Sequence, residues 1–202
     1  MGERTNATAV EMLATSLFAG GGAERVIAIE LPHSHAFMHL DTVMSMVDHD
    51  TFIAYPYLDD NLRSWTMTAD HDGDGFSIVD NPDLWSAVAE ALEVDKVTVL
   101  TTQEDLPTAE REHWDDGTNF LAVSPGVVMG YDRNVTTNTM PPHNGIEFIT
   151  INGSTPGRRP GRPRTPPRPT HRAALARKPD PAILSAPGAA ACGHARAAGH
   201  GR

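Results

Sequence analysis

The stretch Leu40-Asp41-Thr42-Val43-Met44-Ser45-Met46-Val47, followed by Asp48-His49-Asp50 and then Thr51-Phe52-Ile53-Ala54-Tyr55, sets two apolar, partly β-branched runs on either side of an acidic turn. Such runs favour extended backbone, and a short polar break folds one back on the other, so residues 40–47 and 51–55 predict a β-hairpin. The segments after Tyr55 decide how that hairpin is used. Beyond an irregular stretch with a strand near Trp65, Pro82 opens the first turn of an acidic helix that runs to Leu92, and Lys96 to Leu100 reads as a further strand.

Farther along the chain the same order returns. A short helix over Leu106 to His113 leads to Phe120–Val123 and Val127–Tyr131, which flank the turn Ser124-Pro125-Gly126. A weakly marked helix from Asn134 to His143 and a strand from Ile146 to Ile151 complete the pattern. Two successive ββαβ units predict an α/β repeat architecture. Upstream, Thr5 or Asn6 can cap a helix whose apolar positions Val10, Leu13, Leu17 and Phe18 recur at helical spacing, and Gly20-Gly21-Gly22 stops it. Arg25 to Leu31 alternates like a strand. This helix and strand look like the closing half of an earlier unit, so Met1 is expected to fall inside a unit whose opening hairpin is absent.

Composition divides the 202 residues at about Gly153. Residues 1–153 carry 6 Lys and Arg against 25 Asp and Glu, a formal charge of −19, whereas residues 154–202 carry 10 against 1, or +9. The second segment also holds 9 of the 16 prolines and no Phe, Trp or Tyr, so it cannot bury enough apolar surface to offset chain entropy and is expected to be a disordered Arg/Pro/Ala-rich tail. Its charge suits an acidic surface or nucleic acid, but without aromatic residues to stack bases a nucleic-acid partner is not expected. The single cysteine, Cys192, excludes a disulfide within the chain and favours a reducing, cytoplasmic setting. No apolar run approaches the length of a membrane span.

In Met38-His39-Leu40-Asp41 an imidazole and a carboxylate stand two residues apart. On a strand both would point to one face and could together hold and protonate a cationic group such as a guanidinium. The competing reading is a pair that satisfies its hydrogen bonds locally. His33, His35 and His39 lack the partner cluster of a closed zinc site, and Asp70 to Asn81 opens like a calcium loop but ends in Asn where a bidentate Glu is required, so no metal is expected. Trp114-Asp115-Asp116-Gly117-Thr118-Asn119 reads on its own as a tight loop with a Trp plug, and Asn134 as a helix cap.

Taken in order, Gly2-Glu3-Arg4-Thr5, Met38-His39-Leu40-Asp41-Thr42-Val43, Trp114-Asp115-Asp116-Gly117-Thr118-Asn119, Pro125-Gly126-Val127-Val128 and Tyr131-Asp132-Arg133-Asn134 resemble bacterial arginine deiminase. The likeness runs across nearly all of residues 1–153, including Gly145-Ile146 and Ile151-Asn152-Gly153-Ser154. It implies the five-module ββαβ α/β-propeller of the guanidino-group-modifying enzymes, with about two and a half modules present. It also implies hydrolysis of L-arginine to L-citrulline and ammonia in arginine catabolism, in the cytoplasm, without metal or organic cofactor, and in some members a homo-oligomer. By resemblance His39 is the general acid and base, Asp41 is one of two carboxylates that grip the guanidinium, and Arg4 contributes to recognition of the amino-acid end.

The family nucleophile is a cysteine in a Gly/Arg-rich segment, and alignment on Gly153-Ser154 puts its place at Thr165, while a carboxylate-clamping arginine is expected near Pro160. Cys192 lies too far downstream to replace it. Residues 154–202 have the composition of a G+C-rich gene read out of frame, which points to a frame break close to residue 154. Family members are about twice as long as this chain, and the second guanidinium-binding carboxylate is expected in a part that precedes Met1. The chain is therefore expected to be a fragment that makes no citrulline by itself. The alternatives are a hydrolase of another guanidino compound, such as agmatine or a methylated arginine, and a non-catalytic binding protein.

Overall fold

Asn6 accepts the Ala9 amide at 2.9 Å and caps helix α1 (Ala7–Ala19), which ends where the amides of Gly20, Gly21 and Gly22 turn back onto Ser16, Phe18 and Leu17, with Gly21 at φ 63°. The computed structural model describes residues 1–59, 61–70 and 75–152, and the expectations for the 154–202 tail, for Thr165 and for the centre of the Asp70–Asn81 loop lie outside those residues. Strand β1 (Arg25–Ile29) follows α1, as the alternating pattern predicts.

The hairpin forms, but later than the apolar pattern suggests. Leu40–Val43 is a single helical turn, α2, and only Met44–Met46 is extended, as β2, pairing antiparallel with β3 (Thr51–Ala54). The cause is local. The Thr42 amide and hydroxyl both bond to the His39 carbonyl, at 3.3 and 2.8 Å, which closes a turn where β-branched residues would otherwise extend. Beyond β3 the strand expected near Trp65 forms as β4 (Ser64–Ala69), and it pairs in a second hairpin with a strand that was not expected, β5 (Phe76–Asn81), joined to β1 in the order β1-β4-β5. Pro82 precedes the next helix and lies outside its first turn. Asp83 is the cap, accepting the Ser86 amide at 2.6 Å, and α3 spans Leu84–Ala91. Strand β6 (Thr98–Leu100) then pairs parallel with β3.

Helix α4 (Leu106–Trp114), capped by Asp105, leads to β7 (Leu121–Ser124) and β8 (Val127–Tyr131), antiparallel around Gly126 at φ 72°. A 3-10 turn over Thr137–Thr139 runs into the short helix α5 (Met140–His143), and β9 (Glu147–Ile151) pairs parallel with β8. Asn134 does not cap this helix; its side-chain amide donates to the Asp115 carbonyl at 3.0 Å. Sheets β2-β3-β6 and β7-β8-β9 thus share one topology, an antiparallel pair followed by a parallel one. The described sheets do not close into a barrel.

Alternation along β2 and β3 sends side chains to two cores. Met44 and Ala54 join Ile29, Leu31, Val43 and Leu84, while Ile53 joins Val47, Phe120, Val128, Met140 and Ile146. The sheet is buried on both faces and couples the two cores. In the second core the Phe120 and Phe148 rings meet edge to face at 5.8 Å over Gly130. A Cβ at residue 130 would lie 2.8 Å from the Phe120 ring, so glycine is required by close packing. Other apolar groups face solvent: Met12 and Leu13 on α1, and Ile78 and Val79 on the edge strand β5. Leu13 is therefore not the core position that its helical spacing suggests.

Candidate active site

Arg4 is placed by a tight turn in which Gly2 and Thr5 exchange main-chain hydrogen bonds at 3.0 and 3.4 Å. The Met1 carbonyl, accepting from the Leu31 amide at 2.6 Å, fastens this turn to the segment after β1. His39 comes from the other side. A 3-10 turn over His35–Phe37 ends at Met38, and His39 is extended (φ −136°, ψ 128°) as it opens α2. The result joins residues 35 apart in sequence: the Arg4 Nη1 lies 3.4 Å from His39 Nε2. A guanidinium can only donate, so a hydrogen bond here requires Nε2 to be the acceptor.

Asp41 lies in the α2 turn, half-buried like His39. The two side chains are not on one face of a strand, because the chain passes from extended to helical backbone between them. Arg4 and His39 are brought together directly, and Asp41 follows on the next turn. An apolar cavity of about 220 Å³, lined by Arg4, Val10, Ile29, Phe37 and Leu40, adjoins them.

The α2 turn is held from behind by residues whose sequence pattern suggests only turn formers. The Thr118 hydroxyl donates to the Thr42 carbonyl, the Ser45 hydroxyl donates to the Asp41 carbonyl at 3.4 Å, and Ser45 Oγ accepts the Phe120 amide at 3.2 Å. Asn119, between them, is fully buried and has no hydrogen-bond partner for its side-chain oxygen or nitrogen among the described residues. Asp116 adopts φ 60°, and a Cβ on Gly117 would lie 2.8 Å from the Glu112 carbonyl, so the Asp-Gly pair is fixed by backbone shape and close approach. Trp114 is not a plug: it is 65% exposed.

Helix α4 ties the two parts of the site's support together. Glu112 is 2% exposed and its carboxylate accepts the Thr136 amide at 3.1 Å, the Thr137 amide at 2.8 Å and the Thr137 hydroxyl at 2.6 Å. Burial raises its pKa, but these donors outweigh that and hold it below the usual glutamate range. The neighbouring Glu104, 3.3 Å from the same hydroxyl, is pushed above that range by burial and then by the Glu112 charge. One residue on, His113 Nε2 lies 2.8 Å from the Ala36 carbonyl, in the segment that leads into His39. Arg133 Nη2 and Asn134 Nδ2 both donate to the Asp115 carbonyl, at 3.2 and 3.0 Å. The motif containing Trp114 and the motif containing Arg133 therefore interlock with each other as scaffold. No sequence signal pointed to Glu112; an acidic residue on a polar helix gives no sign that it will be buried.

Among the described residues no group of His, Cys, Asp and Glu side chains forms a metal site, and no helix is long and apolar enough to cross a membrane. The family model for arginine deiminase matches residues 1–172, past Gly153. The arginine deiminases of Rhodococcus opacus and Mycobacterium tuberculosis are each 44% identical to this chain over 164 residues, and that of Rhodococcus jostii is 43% identical over the same length. Each alignment covers 81% of this chain and 40% of the relative.

Proposed function

Because the chain belongs to the arginine deiminase family, we propose that Arg4, His39 and Asp41 are its portion of an active site that hydrolyses L-arginine to L-citrulline and ammonia in arginine catabolism. The observation that carries this reading is the contact between Arg4 and His39, which joins two of the matching motifs across 35 residues. The reaction adds water across the guanidinium carbon and releases one nitrogen as ammonia. His39, with its lone pair at Nε2, takes the proton of an incoming nucleophile and returns it to the departing amine. Asp41 holds the cationic guanidinium by charge-assisted hydrogen bonds, and Arg4 draws the substrate carboxylate.

The two mixed sheets of like topology support a propeller assembled from ββαβ modules, of which these residues supply about two and a half. The chain spans 40% of the length of the relatives it matches. Its only cysteine is Cys192, and the position aligned with the family nucleophile is Thr165, whose hydroxyl, unlike a thiol, does not ionise near neutral pH. The chain alone accordingly makes no citrulline. It acts as a cytoplasmic, cofactor-free part-site for a guanidinium.

Titration with L-arginine, followed through the His39 imidazole resonances, tests this. Saturable shifts that are lost in Arg4→Ala support it. Shifts that agmatine, which lacks the carboxylate, produces equally well would move the substrate to another guanidino compound. Absence of any saturable response would leave a non-catalytic binding protein as the better reading.

A further inference from the structure

Helix α2 is too short to hold itself. A single turn of four residues is far below the length at which a helix is stable alone, because nucleation costs more than its few internal bonds return. Its sequence argues against it as well, since Thr42 and Val43 are β-branched and run directly into β2. Yet every main-chain carbonyl from His39 to Val43 has a donor. The His39 carbonyl accepts from the Thr42 amide and hydroxyl, and that of Leu40 from the Met44 amide. The Asp41 carbonyl accepts from the Ser45 hydroxyl, that of Thr42 from the Thr118 hydroxyl, and that of Val43 from the Tyr55 amide at 2.8 Å. The Tyr55 bond continues the β2–β3 ladder and would serve a strand equally well. The donors that reach the turn from outside and match its helical shape are therefore the Ser45 and Thr118 hydroxyls.

Both hydroxyls are held by one segment. Thr118 is 4% exposed and Ser45 2% exposed, and Ser45 Oγ accepts the Phe120 amide at 3.2 Å, so both bonds lead to residues 118–120. That segment is itself fixed: the Gly117 amide donates to the Glu112 carbonyl at 2.7 Å, the Asn119 amide to the Asp116 carbonyl at 3.1 Å, and the Phe120 ring lies in the second core. Valine at position 118 would keep the shape of threonine but take the donor from the buried Thr42 carbonyl. The turn governs both site residues, because His39 opens it in extended backbone and Asp41 lies inside it. If residues 40–43 extended β2 instead, Asp41 would leave the chain on the same face as His39, at a different place relative to the Arg4–His39 contact. Resting on the reading of His39 and Asp41 as a guanidinium site, we infer that Thr118 and Ser45 are positioning residues. Their hydroxyls hold residues 40–43 as a helical turn in place of the strand that the sequence favours, and so set Asp41 against the Arg4–His39 pair.

Backbone carbon chemical shifts of the isotopically labelled full chain test this without any ligand, since they separate helical from extended residues one by one. The unaltered chain should give helical shifts over Leu40–Val43, and Thr118→Val extended ones, with the shifts of α5 unmoved. Thr118→Ser, which keeps the hydroxyl, should return the helical values, and Ser45→Ala should move the turn in the same direction as Thr118→Val. Helical shifts that persist over Leu40–Val43 when Thr118→Val and Ser45→Ala are combined would overturn the proposal. If Thr118→Val does not fold, the Thr118 hydroxyl proton of the unaltered chain decides. Exchange with water much slower than that of the exposed Thr15 supports the proposal, and exchange as fast as Thr15 overturns it. Titration with L-arginine supplies the readout at the site: affinity should fall about tenfold or more in Thr118→Val and recover in Thr118→Ser. Equal affinity in all three proteins would overturn the positioning role. No response from the unaltered chain would instead refute the guanidinium reading, and the carbon shifts would still decide whether the two hydroxyls set the turn.

Discussion

Replacing Glu112 by Ala removes the one carboxylate that serves three donors inside the fold: the Thr136 amide, the Thr137 amide and the Thr137 hydroxyl. Burial alone does not make that stabilising, because a dehydrated carboxylate is costly. The direction of its pKa decides the matter. The group titrates below the usual glutamate range despite burial, so the donors favour its charged form by more than dehydration penalises it. In Glu112→Ala two backbone amides in a buried turn lose their acceptor, at about 1–3 kcal/mol each, and the lost hydroxyl bond adds about 1 kcal/mol. A water entering the vacated space recovers part of this, leaving a net cost of about 3–4 kcal/mol. With a urea dependence of roughly 2 kcal/mol per molar, the midpoint should fall by about 1.5–2 M. Glu112→Gln keeps one acceptor oxygen and should fall by about half as much. Equilibrium urea unfolding followed by tryptophan fluorescence reads both. A midpoint for Glu112→Ala within about 0.5 M of the unaltered chain, with the slope unchanged, would refute the reasoning.

Gly130→Ala would press a Cβ to 2.8 Å from the Phe120 ring and 3.0 Å from Phe148, and should cost about 1–3 kcal/mol in thermal unfolding, with Phe120→Leu in the same chain restoring part of it. Glu104 has its carboxyl raised by burial and by Glu112, so its contribution to stability is present below the usual glutamate value and is lost as pH rises through the folded-state value. Glu104→Gln should therefore stabilise the chain at neutral pH and lose that advantage on acidification, checked by melting temperature against pH. Glu112 runs the other way: its contribution is present above the usual glutamate value and lost as pH falls through its depressed one, so Glu112→Gln should flatten the acid limb of the same curve.

Where local chemistry fixes structure, the sequence was readable. Asn6 and Asp105 cap the helices expected around them, Gly20 ends the first, and Gly126 turns the β7–β8 hairpin. The same holds for the parallel return strands, whose apolar runs Thr98–Leu100 and Glu147–Ile151 follow a helix in each unit. The α2 turn was missed because Thr42 and Val43 favour extension by propensity, whereas a side-chain bond from Thr42 to His39 bends the chain. Strand β5 was missed because it is an edge strand with most of its side chains exposed, which leaves no alternation to read. At the site, the resemblance pointed to Arg4, His39 and Asp41, and the fold brings the first two together. What it could not supply was the supporting shell of Thr118, Ser45 and Glu112, since those contacts link segments 24 to 77 residues apart and leave no mark in local pattern.

The most direct test of the central claim is a citrulline assay on the purified full chain with L-arginine, run beside His39→Ala. If His39 and Asp41 serve as proposed, neither protein makes citrulline, because the sequence has no cysteine at the position aligned with the family nucleophile. Turnover by the unaltered chain that His39→Ala abolishes would contradict it, and would show that another group in this chain attacks the guanidinium carbon.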